Sequence, residues 1–288
     1  MDQRPLRVVD PHVHLWDPAR TDWYPYLSGA RKIPVNDVAK MARPFDLPTY
    51  NAEAAGWNVD KLITVSAATG AHCVDEAIEM EALAESTGQP AAIVGGITPS
   101  ARQADVTAQL DRQMTLQRFR GVRAMGKLDH PVPAPAVLQE LRDRGLVFDL
   151  MARTDQLVSS AGALADVDGL LVVVEHLGWP RSAEPEEFST WQEGIRALAD
   201  LGDRVTCKLS GLAMPLGSVH ADVLAPWLEF AIECFGVERC MFASNFPVDG
   251  AHCTLDELFS AYFEFASGLG ADALQMLFAT NAERVYRC

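Results

Sequence analysis

The chain alternates between short apolar runs and longer amphipathic segments along most of its length. Eight apolar runs indicate buried strands, and a segment with the apolar spacing of a helix follows most of them. The predicted strands begin with the run 6–9 and continue with 61–66, 91–97, 119–124, 146–151, 170–176, 204–210 and 240–245. Parallel strands that are covered on both faces have continuous apolar sequences and need helical crossovers. The pattern therefore predicts an α/β protein with a (β/α)8 barrel, known as a TIM barrel.

The helical segments support the same architecture. They are predicted over 74–86, 104–117, 135–144, 156–164, 186–201 and 223–235, and the capping-box pattern at 254–257 begins another. A final helix over 272–284 is expected to pack on the outside of the barrel. A doubly wound open sheet is the rival fold, but no Gly-x-Gly-x-x-Gly follows the first strand. The length of 288 residues suits one barrel domain over 1–288.

The segment 16–58 interrupts this alternation. It is rich in aromatic and turn residues, and loops of this length usually form lids or ligand-binding walls. We expect Trp16 and Tyr50, together with Trp179 further along the chain, to contact a ring-shaped substrate. The alternative is that each of these side chains only packs over the barrel.

Composition and charge exclude some classes of binding partner. The net charge of −15 argues against nucleic acid and against an anionic membrane surface, since both require a basic patch. The longest aliphatic run, 170–174, is too short to span a bilayer, and residues 1–5 contain no apolar signal region. Six scattered cysteines form no C-x-x-C pair. We therefore expect a cytoplasmic protein with reduced thiols and a small-molecule substrate, and the sequence leaves open whether the chain forms a homo-oligomer.

Polar residues lie at the ends of several predicted strands, where TIM barrels carry their chemistry. They are His12 and His14 on the first strand, Arg123 on the fourth, His176 on the sixth, Lys208 on the seventh and Asn245 on the eighth. Alternation along a strand places Asp10, His12 and His14 on one face. Glu175 alternates with His176 along the sixth strand. If His176 faces the site, we therefore expect Glu175 to face the helices.

Three imidazoles suggest two kinds of site. His12, His14 and His176 could hold one divalent ion, zinc above all, with a fourth position open for water. They could equally polarise a carbonyl without a metal, and the positive charge of Arg123 beside them disfavours an ion. The sequence leaves one metal ion or none as alternatives.

The two basic residues also have two interpretations each. Arg123 suits a bidentate clamp on a substrate carboxylate, so we expect an anionic substrate. A salt bridge at the barrel rim is the alternative for Arg123. Lys208 is expected to point into the barrel and contact the substrate, or to have a structural role.

In combination, these motifs resemble the amidohydrolase superfamily. The motifs are His-Val-His-Leu-Trp-Asp-Pro at 12–18, Gly-Val-Arg at 121–123, Glu-His-Leu-Gly at 175–178, Lys-Leu-Ser-Gly-Leu at 208–212 and Met-Phe-Ala-Ser-Asn-Phe-Pro-Val at 241–248. They are most similar to the amidohydrolase 2 branch, which contains sugar-acid and pyrone-dicarboxylate lactonases. The resemblance implies a TIM-barrel hydrolase that opens cyclic esters. It assigns His12, His14 and His176 to the catalytic centre, and Arg123 to the substrate carboxylate.

Asn245 is the main departure from the family pattern. It stands in the catalytic centre where most of the superfamily has an aspartate that ligates metal and transfers protons. Asparagine cannot accept a proton at neutral pH, so the base would be His176, a metal-bound hydroxide or Asp249. The chain also lacks the fourth-strand and fifth-strand ligands of binuclear relatives, which disfavours a two-metal site.

The resulting expectation is a hydrolase that opens a small carboxylated or sugar-derived lactone. One alternative is a metal-dependent non-oxidative decarboxylase of a small or aromatic acid. Asn245 weakens this hypothesis, because those enzymes resemble the version of the motif with aspartate. The other alternative is a barrel that binds a ligand without catalysis.

Overall fold

Eight parallel strands form one sheet in chain order in a computed structural model, which describes residues 7–28, 38–99, 101–124 and 129–288. The strands are β1 (Val8–Val13), β2 (Val59–Val65), β3 (Ala92–Ile97), β4 (Phe119–Ala124), β5 (Val147–Leu150), β6 (Val172–Val174), β7 (Val205–Leu209) and β8 (Cys240–Phe242). The segment after β8 pairs with β1, because the amide of Asn245 donates to the carbonyl of His12 over 2.9 Å. The predicted (β/α)8 barrel is confirmed.

The predicted helices follow the strands in order, and the short helices at Val38–Met41, Leu47–Glu53 and Ala213–Leu216 were not predicted. The helices are α1 (Val38–Met41), α2 (Leu47–Glu53), α3 (His72–Thr87), α4 (Gln103–Gln113), α5 (Pro135–Asp143), α6 (Leu157–Ala165), α7 (Pro185–Ala199), α8 (Ala213–Leu216), α9 (Ala221–Phe235), α10 (Leu255–Ser267), α11 (Ala271–Gln275) and α12 (Asn281–Tyr286). The predicted capping box begins α10, where the Thr254 amide donates to the Glu257 carboxylate over 2.7 Å. None of the helices in the described ranges is long and apolar enough to cross a bilayer.

The final helical segment does not pack on the outside, as the sequence suggested. Its buried residues Ala282, Val285 and Tyr286 belong to the same apolar cluster as Val9 and Met241 of the barrel interior. Glu283 accepts hydrogen bonds from Arg7 and Lys61, which lie near the starts of β1 and β2. The segment therefore closes the N-terminal end of the barrel, and its apolar face is buried by the strands.

Backbone hydrogen bonds join two parts of the segment that follows β1. Trp16 and Phe45 form an antiparallel bridge with reciprocal 2.9 Å hydrogen bonds, and α1 and α2 lie within the same segment. The buried Glu76 of α3 accepts a 2.9 Å hydrogen bond from the Tyr24 hydroxyl, which fastens the segment to the barrel. Residues 29–37 of this segment and the first six residues, including part of the predicted first strand, lie outside the described ranges.

Candidate active site

The two histidines of β1 are side by side at its C-terminal end. The pairing register with β2 shifts between Asp10 and Val13, so strict alternation is interrupted there. Nε2 of His12 lies 3.1 Å from Nε2 of His14, and Nδ1 of His14 lies 2.8 Å from the carbonyl oxygen of Val65. A carbonyl only accepts, so Nδ1 of His14 carries a proton and donates it.

Asp10 does not share the face of the two imidazoles, contrary to the alternation argument. Its carboxylate accepts a 2.9 Å hydrogen bond from the amide of Ser244 and a 2.8 Å bond from the hydroxyl of Tyr50. Asp10 therefore joins β1 to the segment after β8. Tyr50 is fully buried with its hydroxyl bonded to Asp10, and its contact with substrate stays a prediction.

His176 reaches the site through a left-handed turn. β6 ends at Val174, and His176, Leu177, Gly178 and Trp179 all have φ between 43° and 71°. Such a run of positive φ is sparsely populated outside glycine and is held in place by its surroundings. Nδ1 of His176 lies 2.9 Å from the hydroxyl oxygen of the buried Ser210.

Glu175 faces the barrel rather than the helices, which corrects the sequence-based expectation. Val173 packs with the barrel interior, so alternation from Val173 directs Glu175 inward, and the count that began from His176 was misled by the turn. Oε1 of Glu175 lies 3.8 Å from Nδ1 of His12 and has no hydrogen-bond partner among the described residues. Glu175 is therefore a site residue that strand counting from Val173 would have found.

Arg123 extends from β4 into the same space. Its Nη1 donates to Oε2 of Glu175 over 3.1 Å, and its Nε donates to the carbonyl of Ser66 over 2.6 Å. Within the described ranges Nη2 has no hydrogen-bond partner. Arg123 is thus held through two of its three nitrogens by protein groups and keeps Nη2 for another acceptor.

Lys208 points into the barrel, as the strand position predicts. It is fully buried, and its Nζ contacts Oδ2 of Asp149 at 2.6 Å and Nδ1 of His12 at 3.3 Å. The structure gives Lys208 a contact with His12, and its contact with substrate stays a prediction. Asp149 was missed, although a carboxylate in an otherwise apolar strand is itself a signal that it is paired.

Asn245 and Asp249 form a buried pair beside this cluster. Nδ2 of Asn245 donates to Oδ1 of Asp249 over 3.3 Å, and the amide of Gly211 donates to Oδ2 over 3.1 Å. Burial raises the pKa of Asp249 to about 7. Both carboxylate oxygens of Asp249 therefore already accept a hydrogen bond from the protein.

Two of the predicted aromatic residues lie next to the histidines. The ring of Trp16 stacks on that of His14 with centroids 5.5 Å apart, and its indole nitrogen donates to the carbonyl of Arg43. Trp179 is half-buried, and its amide donates to the carbonyl of His176 over 2.8 Å. Their contact with substrate stays a prediction.

Burial keeps the histidines neutral. Desolvation holds the pKa values of His12, His14 and His176 well below the usual 6.5, and the charges of Lys208 and Arg123 lower them further. Neutral imidazoles can ligate metal, accept protons or donate hydrogen bonds at neutral pH.

The donor set fits one divalent ion, but with a different third ligand from the one predicted. Within the described ranges, one group of side chains could share a metal ion: His12, Glu175 and His176, whose ligand atoms lie within 4.8 Å of one another. The unpartnered Oε1 of Glu175 is the oxygen that an ion would use, and two imidazoles with one carboxylate are a ligand set of zinc. His14 is not part of this group.

The comparisons with known proteins agree with this architecture. A family model described as amidohydrolase matches residues 9–288. L-fucono-1,5-lactonase from Burkholderia multivorans is 29% identical over 296 residues, which cover 96% of this chain and 95% of that protein. An amidohydrolase from Burkholderia multivorans with bound zinc superimposes with a TM-score of 0.82 at 24% identity, covering 97% and 99% of the two chains. A complex of 2,6-dihydroxybenzoate decarboxylase superimposes with a TM-score of 0.66 at 13% identity, covering 98% and 99%. The two structural similarities establish the fold alone.

Proposed function

This chain belongs to the amidohydrolase family, and from that premise we propose that it hydrolyses a small carboxylated or sugar-derived lactone. The proposal depends on one observation, the convergence of a guanidinium and neutral imidazoles from β1, from β4 and from the turn after β6. Arg123 of β4 contacts Glu175 at 3.1 Å, Glu175 lies 3.8 Å from His12 of β1, and the rings of His12 and His176 have centroids 4.4 Å apart. The lactonase from Burkholderia multivorans supports the substrate class.

Arg123 is the proposed anchor for the anionic end of the substrate. Its Nη1 and Nε are committed to Glu175 and Ser66, so Nη2 remains for a substrate carboxylate or for the oxygen of the attacked carbonyl. A guanidinium already fixed through two of its nitrogens loses little further entropy when it binds an anion, which favours specific recognition.

His176 is the proposed base. When Nδ1 donates its proton to Ser210, the neutral ring presents Nε2 as an acceptor. Water then adds to the lactone carbonyl, the ring C–O bond breaks, and His176 carries the proton lost by water to the departing oxygen. The products are a free hydroxyl group and a carboxylic acid, which releases its remaining proton to solvent and becomes a carboxylate.

Asn245 and Asp249 have a supporting part in this scheme. Asn245 is neutral, and both oxygens of the buried Asp249 already accept hydrogen bonds from Asn245 and Gly211, so neither residue is the proposed acceptor of the proton of the attacking water. His12, Glu175 and His176 are the residues that would hold an ion. Such an ion would take the Nε2 lone pair of His176 and would supply Lewis-acid polarisation of the carbonyl in place of base catalysis by His176.

The direct test is an assay of the purified protein against lactones, with acid release followed by a pH indicator. L-fucono-1,5-lactone and matched lactones with and without a carboxylate form the panel, and each assay is repeated after chelation of divalent metals. Acid release is the expected result. Release of CO2 from aromatic acids would instead identify a decarboxylase, and binding without turnover would identify a non-catalytic barrel.

A further inference from the structure

Lys208 is a buried cation for which the proposed reaction has no direct use. Its ammonium group contacts Asp149 at 2.6 Å, His12 at 3.3 Å and the ring of Tyr286 at 5.1 Å. The Tyr286 hydroxyl also donates to Asp149 over 2.8 Å, so the carboxylate has two donors of its own. A buried charge is tolerated only when such partners satisfy it, so Lys208 is held in place as an ammonium group.

The hydrogen bonds around the histidines determine where the protons lie. Val65 offers only a carbonyl oxygen, so neutral His14 has its proton on Nδ1 and a lone pair on Nε2. Nε2 of His12, 3.1 Å away, must then be the donor of that pair. Neutral His12 is left with its lone pair on Nδ1, which faces the ammonium of Lys208.

This arrangement disfavours metal ligation by His12, although the donor atoms lie close enough to share an ion. The group that could hold an ion needs a lone pair of His12 beside Glu175 and His176. Nε2 carries the proton, and the lone pair of Nδ1 already accepts from Lys208. To bind His12, an ion would have to displace Lys208 or reverse the hydrogen bonds that link Lys208, His12 and His14. The ion would also lie close to the positive charge of Lys208, which Asp149 holds in place.

We propose that Lys208 is a positioning residue that fixes His12 as a hydrogen-bond donor toward His14 and so weakens metal binding at His12, Glu175 and His176. The effect on zinc affinity is a property of the fold. The consequence for catalysis, that His176 stays free of metal and able to accept a proton, rests on the proposed function.

The test is the zinc affinity of metal-stripped protein, measured by competition with a chromogenic chelator. Lys208→Met should bind zinc about tenfold more tightly than the wild type, because it removes both the donor and the positive charge. Lys61→Met removes a lysine that is paired with Glu283 at the far end of the barrel, and its zinc affinity should equal that of the wild type. This control has the same change in net charge.

The single variant leaves the carboxylate of Asp149 buried without its lysine and could fail to fold. The double variant Lys208→Met/Asp149→Asn removes that carboxylate and provides a second test. It should also bind zinc more tightly than the wild type. Nitrogen NMR of the wild type should show His12 protonated on Nε2. Equal or weaker zinc binding by the folded variants, or a wild-type His12 protonated on Nδ1, would overturn the proposal. Neither readout uses turnover, so failure of every lactone in the assay would leave this result unaffected.

Discussion

Nη1 of Arg123 donates to Oε2 of Glu175 across 3.1 Å, and the carboxylate that it neutralises is fully buried. Arg123 therefore has a structural task in addition to the proposed substrate contact. Experiments on Arg123 have to separate the two tasks.

Replacement of Arg123 by Met should raise KM for a carboxylated lactone by about tenfold with a smaller change in kcat, because Nη2 is the proposed anchor. The same variant leaves Glu175 buried and unpaired, which should lower the free energy of unfolding by about 3–5 kcal/mol. Kinetics and urea denaturation measure the two effects. The double variant with Glu175→Gln should recover stability but not KM. An unchanged KM in that folded double variant would leave Arg123 with the ion pair alone.

Gly211→Ala should damage the site by displacing His176. A Cβ at Gly211 would lie 2.6 Å from Cβ and 2.8 Å from Cγ of His176, and the φ of 73° already disfavours a side chain. We expect kcat/KM to fall by about tenfold or more. Gly217→Ala is the matched control, since its φ of 62° carries the same backbone cost but no atom lies within 4 Å. Equal activity of the two variants would refute this account of Gly211.

Most of the barrel was predictable because buried parallel strands leave a strong sequence pattern. The strands β2 to β5 begin and end within about two residues of the predicted ranges, a usual margin for strand boundaries. The location of the final helix was not predictable from its pattern, because an amphipathic face indicates burial without indicating the burying partner. Here that partner is the N-terminal end of the barrel, which receives Tyr286.

The site was harder to predict where the backbone departs from regular strand geometry. His12, His176 and Arg123 follow from strand ends, but Glu175 was assigned to the wrong face because a left-handed turn begins at His176. The bulge between Asp10 and Val13 had the same effect on Asp10. The pairing of Lys208 with Asp149 joins residues 59 positions apart, and it depends on a register that the sequence does not display.

Ser210→Ala should lower kcat by about tenfold and leave KM unchanged, because the hydroxyl fixes the ring of the proposed base, His176. His176→Ala should abolish turnover in a protein that still folds. Ser160→Ala makes the same deletion at a buried hydroxyl that has no hydrogen-bond partner within the described ranges, and it should keep wild-type kcat. Steady-state kinetics distinguish these outcomes, and retention of most activity by His176→Ala would remove His176 from the mechanism.

Ionisation of the buried Asp249 should lower the free energy of unfolding as pH rises through the acidic range. Burial raises its pKa from 3.8 to about 7, so between these values the folded state binds more protons at this site than the unfolded state. The Asn variant mimics the protonated carboxyl and cannot titrate. Its free energy of unfolding, relative to the wild type, should therefore rise with pH by up to about 1.4 kcal/mol per unit from about pH 4 to 7 and level off above.

Urea denaturation of both proteins at several pH values measures this difference. Asp46→Asn is the control, because Asp46 is an exposed helix cap whose pKa is lowered by its hydrogen bonds to Thr49. The lowered pKa gives the opposite sign, so this variant should show no such rise between pH 5 and 7. A flat difference for Asp249→Asn over the whole range would mean that the buried carboxyl is already ionised at low pH. Asp249 would then need a charged or strongly donating partner beyond Asn245 and Gly211.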